Sequence, residues 1–280
     1  MPRSFSNGIK VLVAECIPVS DHVGRLSRAG WGQISEEMSA TSAEVNVTIL
    51  ETPTKADIRA SVAEVKPDVL VLSAHGFFEP ESNVAGVVIG DEHSLGDDLG
   101  PMPPLVILSA CHTSPRGGGV VNIGDLLLRA GADAVLSTLV PVNVHHNAQL
   151  VSRFFRYLAL AVGNSATDPN MSVLDVWHEV QSLNVIIDLT NGNTNLARWA
   201  FTRSNGKSPV EQFMTGDHGL RRAHLYSGAE ARLIKIASRT GDEERVRNWL
   251  RSPGYVPESL MYTMLGRPWS LLVGGSPTAS

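Results

Sequence analysis

The sequence predicts an α/β protein in which a mostly parallel central sheet is flanked by helices. Three observations carry that expectation. Four short runs of Val, Ile and Leu are continuously apolar rather than alternating, as strands covered on both faces should be. Segments with helical spacing of apolar residues separate them. Strand and helix alternate along the chain, as a parallel sheet with crossover helices requires.

The four runs are "IKVLVAE" (9–15), "DVLVLSA" (68–74), "PLVILSA" (104–110) and "ADAVLSTLV" (132–140). A fifth, "EVNVTIL" (44–50), alternates Val45, Val47 and Ile49, which suits an edge strand with one wetter face. Thr54 followed by Asp57 is a capping-box pattern; Ile58, Val62 and Val65 form one helical face, and Pro67 ends that helix. The stretch 77–104 is long, holds a hairpin around "AGVVIGDEHSLG", and borders a cleft just after His75. "IGDLLLRAGADA" reads as a helix closed near Gly131. From His145 to Val162, apolar residues at 148, 151, 154, 155, 158 and 162 give a helix with a continuous buried stripe.

Beyond about residue 182 polar turn residues mix with scattered apolar ones, and "GAEARLIKIASRTGDEERVRNWLRSP" then reads as one or two amphipathic helices. "SLMYTMLGRPWSLLV" suits a final strand pair. No internal repeat of about 20 to 50 residues is visible. The expected organisation is a core over 1–182, a mixed or helical elaboration over 183–255, and a closing strand region with its tail over 256–280.

Composition narrows the function classes. The 280 residues are 43% hydrophobic and 18% charged, with a formal net charge of −5. A chain of this balance lacks the basic excess that phosphate binding requires, so nucleic acid is not expected as a direct partner. No apolar run approaches the ~20 residues that span a bilayer. The apolar segment near the N-terminus carries Glu15 and lacks a small-residue cleavage site. The expectation is a cytoplasmic protein with no membrane partner. Cys16 and Cys111 are the two cysteines, too few for a disulfide framework. No zinc spacing occurs, and the adjacent His145 and His146 lack a second ligand cluster, so neither metal nor other cofactor is expected.

The chemistry lies at strand ends, where open α/β sheets gather their reactive groups. "VLVLSAHGFF" delivers His75 and "LVILSACHTS" delivers Cys111. On adjacent strands, about 5 Å apart, thiol and imidazole form a nucleophile and its base. Gly76, lacking a Cβ, lets a carbonyl approach its N–H, which together with the Cys111 N–H supplies an oxyanion hole. The pairs Ser73-Ala74 and Ser109-Ala110 are small and keep the floor open. Taken singly, such a Cys is usually a small buried hydrophobe and such a His is usually satisfied by a backbone carbonyl. The pairing on matched strand ends is what raises the two together. Cys16 has no Gly or His beside it, and the His112 side chain should point away from that of Cys111.

"DVLVLSAHG", "PPLVILSACHTS" and "GDLLLRAGADAVLSTLVPVNVHHNAQLVSRFFRYLALAVG" together resemble the CHAT domain, a caspase-like cysteine peptidase domain of the clan of caspases, separases and gingipains. The likeness covers residues 65 to 180, and "MYTMLGRPWSLLV" resembles the closing Gly-x-Pro strand of such domains. It implies a three-layer caspase-like sandwich with a mostly parallel central sheet. It also implies His75 and Cys111 as a catalytic dyad with Gly76 at the oxyanion hole, and a site-specific endopeptidase acting on one or a few partner proteins. CHAT domains commonly carry Asp after the Pro-Val of the "LVPV" strand, where this chain has Asn143. No repeat array precedes the domain, so a regulatory partner is expected in a separate chain or in the C-terminal segment.

In caspase-like folds the pocket for the residue before the scissile bond comes from the loop after the first strand and from the strand after the nucleophile. Here these are "AECIPVSD", with Glu15 and Asp21, and "STLVPVNV", with Leu139, Val142 and Asn143. A carboxylate at Glu15 would favour Arg or Lys. A pocket shaped by Leu139 and Val142 would instead favour an apolar residue. Two other functions compete. One is a catalytically silent CHAT-like interaction module. The other is a glutamine amidotransferase, a class that usually places its Cys before its His in the chain.

Overall fold

The computed structural model describes residues 3–5, 8–41, 45–110, 121–140, 142, 144–163, 170–203, 206–214, 224–251 and 258–273. The chain forms two compact units, Met1–Val176 with Met261–Ser280, and Trp177–Leu260.

The first unit runs β1 (Arg3–Ser4), β2 (Ile9–Glu15), α1 (His22–Thr41), β3 (Val45–Glu51), α2 (Lys55–Val65), β4 (Val69–Ser73), β5 (His75–Glu79), β6 (Val84–Ile89), β7 (Glu92–Ser94), β8 (Leu105–Ser109), β9 (Val121–Asn122), α3 (Ile123–Arg129), β10 (Ala134–Thr138) and α4 (Val144–Gly163). Helix α5 (Val173–Asn191) follows, and β11 (Tyr262–Gly266) and β12 (Leu271–Leu272) complete this unit after the second. Among the described residues six strands make the central sheet, in the order β11-β10-β8-β4-β2-β3. All are parallel except β11, which runs antiparallel to β10. The predicted α/β class and mostly parallel sheet are what the chain adopts.

The continuous apolar runs become inner strands because both faces are covered. Leu12, Leu70, Leu72, Val106, Leu108 and Val135 point into one core with Ile58 of α2 and with Ile123 and Leu127 of α3. The alternate residues Val11, Val13, Val69, Val71, Leu105 and Ile107 are equally buried on the opposite face, where α1 packs on β2, β3 and α4. Each such side chain contributes about 1.5–3 kcal/mol on leaving water. Strand β3 alternates and lies at the sheet edge, as its sequence predicts.

Local signals end the elements where expected. Thr54 caps α2, accepting the Asp57 N–H at 3.2 Å while the Asp57 carboxylate accepts the Thr54 N–H at 2.9 Å. Lys66 then turns left-handed before Pro67. The expected hairpin is the β6–β7 ladder, and β5 adds to it antiparallel. Val87 and Ile89 tie that small sheet to the α2–α3 core. The closing segment brings the backbone of Gly266 against Asp133: φ is +84°, and an added Cβ would lie 2.3 Å from the Asp133 carbonyl oxygen. Only glycine fits there.

The change of pattern expected near residue 182 is not a change of element. Helix α5 continues through it to Asn191, because Val180, Val185, Ile186 and Leu189 keep a buried face at helical spacing. The second unit adds α6 (Thr194–Phe201), α7 (Pro209–Met214), α8 (Leu225–Ser238) and α9 (Glu243–Leu250). Val185, Ile186, Leu189, Phe213, Leu233 and Ile236 form its main core. Among the described residues no helix is long and apolar enough to cross a membrane.

Candidate active site

The strand order fixes where reactive groups gather. From β2 the chain crosses by α1 to β3 on one side, and from β3 it crosses by α2 to β4 on the other side of β2. The chain leaving the carboxyl end of β2 therefore turns toward α1, while that leaving β4 turns toward the β5–β6 hairpin. A crevice opens at such a switch point. Asp21 lies in the first connection and His75 opens the second.

His75 Nε2 and Asp21 Oδ2 are 2.9 Å apart, with the two side chains 46% and 35% exposed. Helix α1 places the aspartate. Its Oδ1 accepts the Val23 N–H at 2.7 Å, its own N–H donates to the Pro18 carbonyl at 3.0 Å, and its carbonyl accepts the Arg25 N–H at 3.1 Å. The hydrogen bond from His75, then that from Val23, holds the Asp21 carboxyl below its ordinary range. A carboxylate only accepts, so a neutral imidazole presents Nε2–H to it and keeps Nδ1 as its free acceptor.

Beside β4 runs β8, in register from Val69 with Leu105 to Ser73 with Ser109. The Ala74 N–H donates to the Ser109 carbonyl at 3.3 Å, and the Thr138 hydroxyl donates to the Ala110 carbonyl. In sequence His75 follows Ser73 by two residues and Cys111 follows Ser109 by two. Cys111 and Asn143 lie outside the described residues. Gly76 is half-buried opposite Val87 in the β5–β6 ladder. It is not among the glycines with positive φ, so its backbone conformation alone does not demand glycine.

The residues expected to line a specificity pocket part company. Asp21 is engaged by His75. Glu15 is completely buried at the end of β2, under α1. Its Oε1 accepts the Ile17 N–H at 3.1 Å and its Oε2 accepts the Ser27 hydroxyl. The position faces the interior because β2 keeps its pleat to its last residue, which sets Glu15 on the same face as Val11 and Val13. Glu15 therefore offers no carboxylate to a substrate, and the acidic wall expected from it does not form. Leu139 and Val142 are half-buried just beyond β10, and the Leu139 N–H donates to the Met261 carbonyl at 2.8 Å.

Ser73 and Ser109, which the sequence marked only as small, each join polar partners under the strand ends. Ser27 and Ser73 Oγ atoms lie 2.9 Å apart. Asn147 Nδ2 donates to Ser109 Oγ at 2.5 Å, and the Tyr262 hydroxyl donates to Asn147 Oδ1 at 3.2 Å. A serine closing each of two neighbouring strands was the available signal. Cys16 is buried, its thiol directed at the Ala14 carbonyl; burial first, and the Glu15 charge second, push it up to about 12. That is an inert thiol. Among the described residues no group of three or more His, Cys, Asp or Glu is placed to hold a metal ion. A cavity of about 490 Å³ lies at the amino ends of β4 and β8, lined by Val62, Lys66, Leu99, Pro101, Met102 and Pro104 among others, and holds no histidine or cysteine.

The model of the CHAT domain family matches residues 29–167. Among solved structures, the crystal structure of caspase-1 from Spodoptera frugiperda is similar at 13% identity and a TM-score of 0.40, covering 100% of this chain and 94% of that one. No curated protein matches the chain.

Proposed function

Because residues 29–167 belong to the CHAT domain family, we propose that the chain is a cysteine endopeptidase acting on one or a few partner proteins, with Cys111 as nucleophile and His75 as its base. The observation that carries this reading is the placing of His75. It stands at the switch-point end of β4 with Nε2 held by Asp21, beside an in-register β8 that leads from Ser109 to Cys111.

The reaction uses the nitrogen left free. His75 Nδ1 takes the Cys111 proton, and the thiolate adds to the scissile carbonyl. The carbonyl oxygen becomes an oxyanion, which the N–H groups of Gly76 and Cys111 receive. The imidazolium, stabilised by Asp21, returns the proton to the leaving amine as the C–N bond breaks and the thioester forms. Water, deprotonated by the same imidazole, then releases the acid and restores the thiol.

Glu15 is buried and Asp21 is engaged, so the pocket before the scissile bond is walled by Leu139 and Val142 and takes an apolar residue. Cleavage of a peptide library by the wild type and by Cys111→Ala tests both parts. The wild type should cut after Leu or Met and Cys111→Ala should not cut. Equal cleavage by Cys111→Ala would end the role of Cys111 as nucleophile, no cleavage by the wild type would leave a silent interaction module, and a preference for Arg or Lys would end the apolar pocket.

A further inference from the structure

We propose that Glu15 is a positioning residue for the His75–Asp21 pair, an inference that rests on the peptidase reading above. Its buried carboxyl group joins the end of the strand that leads to His75 with the start of the loop that carries Asp21.

The need for such a device follows from exposure. Both side chains of the pair are more than a third exposed, and an ion pair in contact with water gains little from attraction alone. It persists only if both ends are already placed. On the His75 side, Ser73 closes β4 two residues earlier and is 1% exposed. On the Asp21 side, the loop from Ile17 leads into α1, which carries Ser27.

The hydroxyl protons have one consistent arrangement. Glu15 Oε2 accepts, so Ser27 spends its proton there; Ser73 therefore donates to Ser27. The chain Ser73 to Ser27 to Glu15 thus pins α1 to the ends of β2 and β4 together. The second carboxyl oxygen holds the Ile17 N–H, while Arg28 of α1 donates to the Ile17 carbonyl at 2.6 Å. Ile17, the second residue of the connection that carries Asp21, is gripped from both sides.

Packing does not explain a carboxyl group at this position. Val11 and Val13, on the same strand face, are buried under the same layer without any polar group. An apolar residue at 15 would fill the space and avoid the cost of burying an ionisable group. It would also release Ile17, Ser27 and Ser73 from one another.

The experiment compares wild type, Glu15→Gln, Ser27→Ala and Asp21→Asn. Each is read by the ¹⁵N resonances of the His75 ring and by kcat and KM on a cleavable peptide. Glu15→Gln turns one acceptor oxygen into an amide donor facing Ser27. We expect kcat to fall roughly 10- to 100-fold, the scale of a small displacement of a catalytic group. KM should stay within about twofold, since the interaction lost is not with bound substrate. The His75 ring signal should move toward that of Asp21→Asn, and adding Glu15→Gln to Asp21→Asn should cost little more.

A ring signal identical to wild type in folded Glu15→Gln, or a full additive loss in the double variant, overturns the proposal. Should Glu15→Gln not fold, Ser27→Ala reports on the same link by the same signal. The ring signal needs no turnover. A wild type that cleaves nothing therefore sinks the peptidase reading, whereas an unmoved ring signal sinks this one.

Discussion

Replacing Asp21 by asparagine changes one thing at the site: the group facing His75 Nε2 need no longer be an acceptor. The amide keeps the shape and can still accept the Val23 N–H through Oδ1. It then turns its NH₂ toward the imidazole, which favours the tautomer with the proton on Nδ1. The ring would meet the nucleophile with a donor instead of a lone pair. A fully buried aspartate–histidine pair in a serine peptidase loses about 10⁴-fold in kcat on this exchange. Here the side chains are 46% and 35% exposed at 2.9 Å, so water competes for Nε2 and restores the useful tautomer part of the time. The expected loss is therefore smaller, roughly 10- to 100-fold in kcat, with KM little changed. Because the bond from His75 holds the Asp21 carboxyl below its ordinary range, the pair's contribution is complete above the unfolded value of about 3.9 and fades as pH falls through the lower folded value. Asp21 itself does not titrate from about pH 5 to 8, so the loss should be present throughout that range. Steady-state cleavage of a fluorogenic peptide across that range measures it. An unchanged kcat across that range would refute the assignment of Asp21 as the partner of His75.

Gly76→Ala should cut turnover roughly 100-fold, the scale of one lost oxyanion donor; because φ is not positive at Gly76, normal folding should accompany the loss, and full activity would leave Gly76 without a catalytic role. Native protein treated with iodoacetamide near neutral pH should take one label, on Cys111, while Cys16, buried and pushed up to about 12, stays unmodified until unfolding; peptide mass spectrometry reads this, and early labelling of Cys16 would contradict its burial. Gly266→Ala should destabilise by at least about 2 kcal/mol, since it adds left-handed strain to a backbone contact with Asp133. Its thermal midpoint should fall by about 4 °C or more, and an unshifted midpoint would mean the closing strand sits differently.

The parts of the fold legible in the sequence are those in which one residue type signals one environment. Strands β2, β4, β8 and β10 stand out because burial on both faces leaves only apolar residues, and Thr54 with Asp57 announces α2 within four positions. Helix α1 gave no such signal. It contains Gly24, Gly30 and Gly32, each about 1 kcal/mol worse than Ala in a helix. It holds because Ser27, Trp31, Ile34 and Met38 are buried along one face and because Gly30 permits close approach to Ala148 of α4. Tertiary packing overrides propensity there. The end of α5 was hidden because polar residues there, Asp188 and Thr190, are themselves buried and break the apolar pattern.

At the site, the strand ends carrying His75 and leading to Cys111 could be read from two matched runs. The carboxylate that meets His75 could not. Asp21 and His75 are 54 positions apart and meet because β2 and β4 are neighbours whose connections diverge, a property of strand order rather than of any motif. The same blindness assigned Glu15 to a pocket. Its inward direction follows from the pleat of β2, and the serines that satisfy it sit on α1 and β4.

The central claim, that Cys111 is activated by His75, is most directly tested by the pH dependence of Cys111 alkylation in the wild type and in His75→Ala. In the wild type the rate should already be high at about pH 6 and change little up to about pH 8, because the imidazole stabilises the thiolate. In His75→Ala it should drop at neutral pH and rise along an ordinary thiol titration near about 8.5. Superimposable profiles for the two proteins would contradict the dyad.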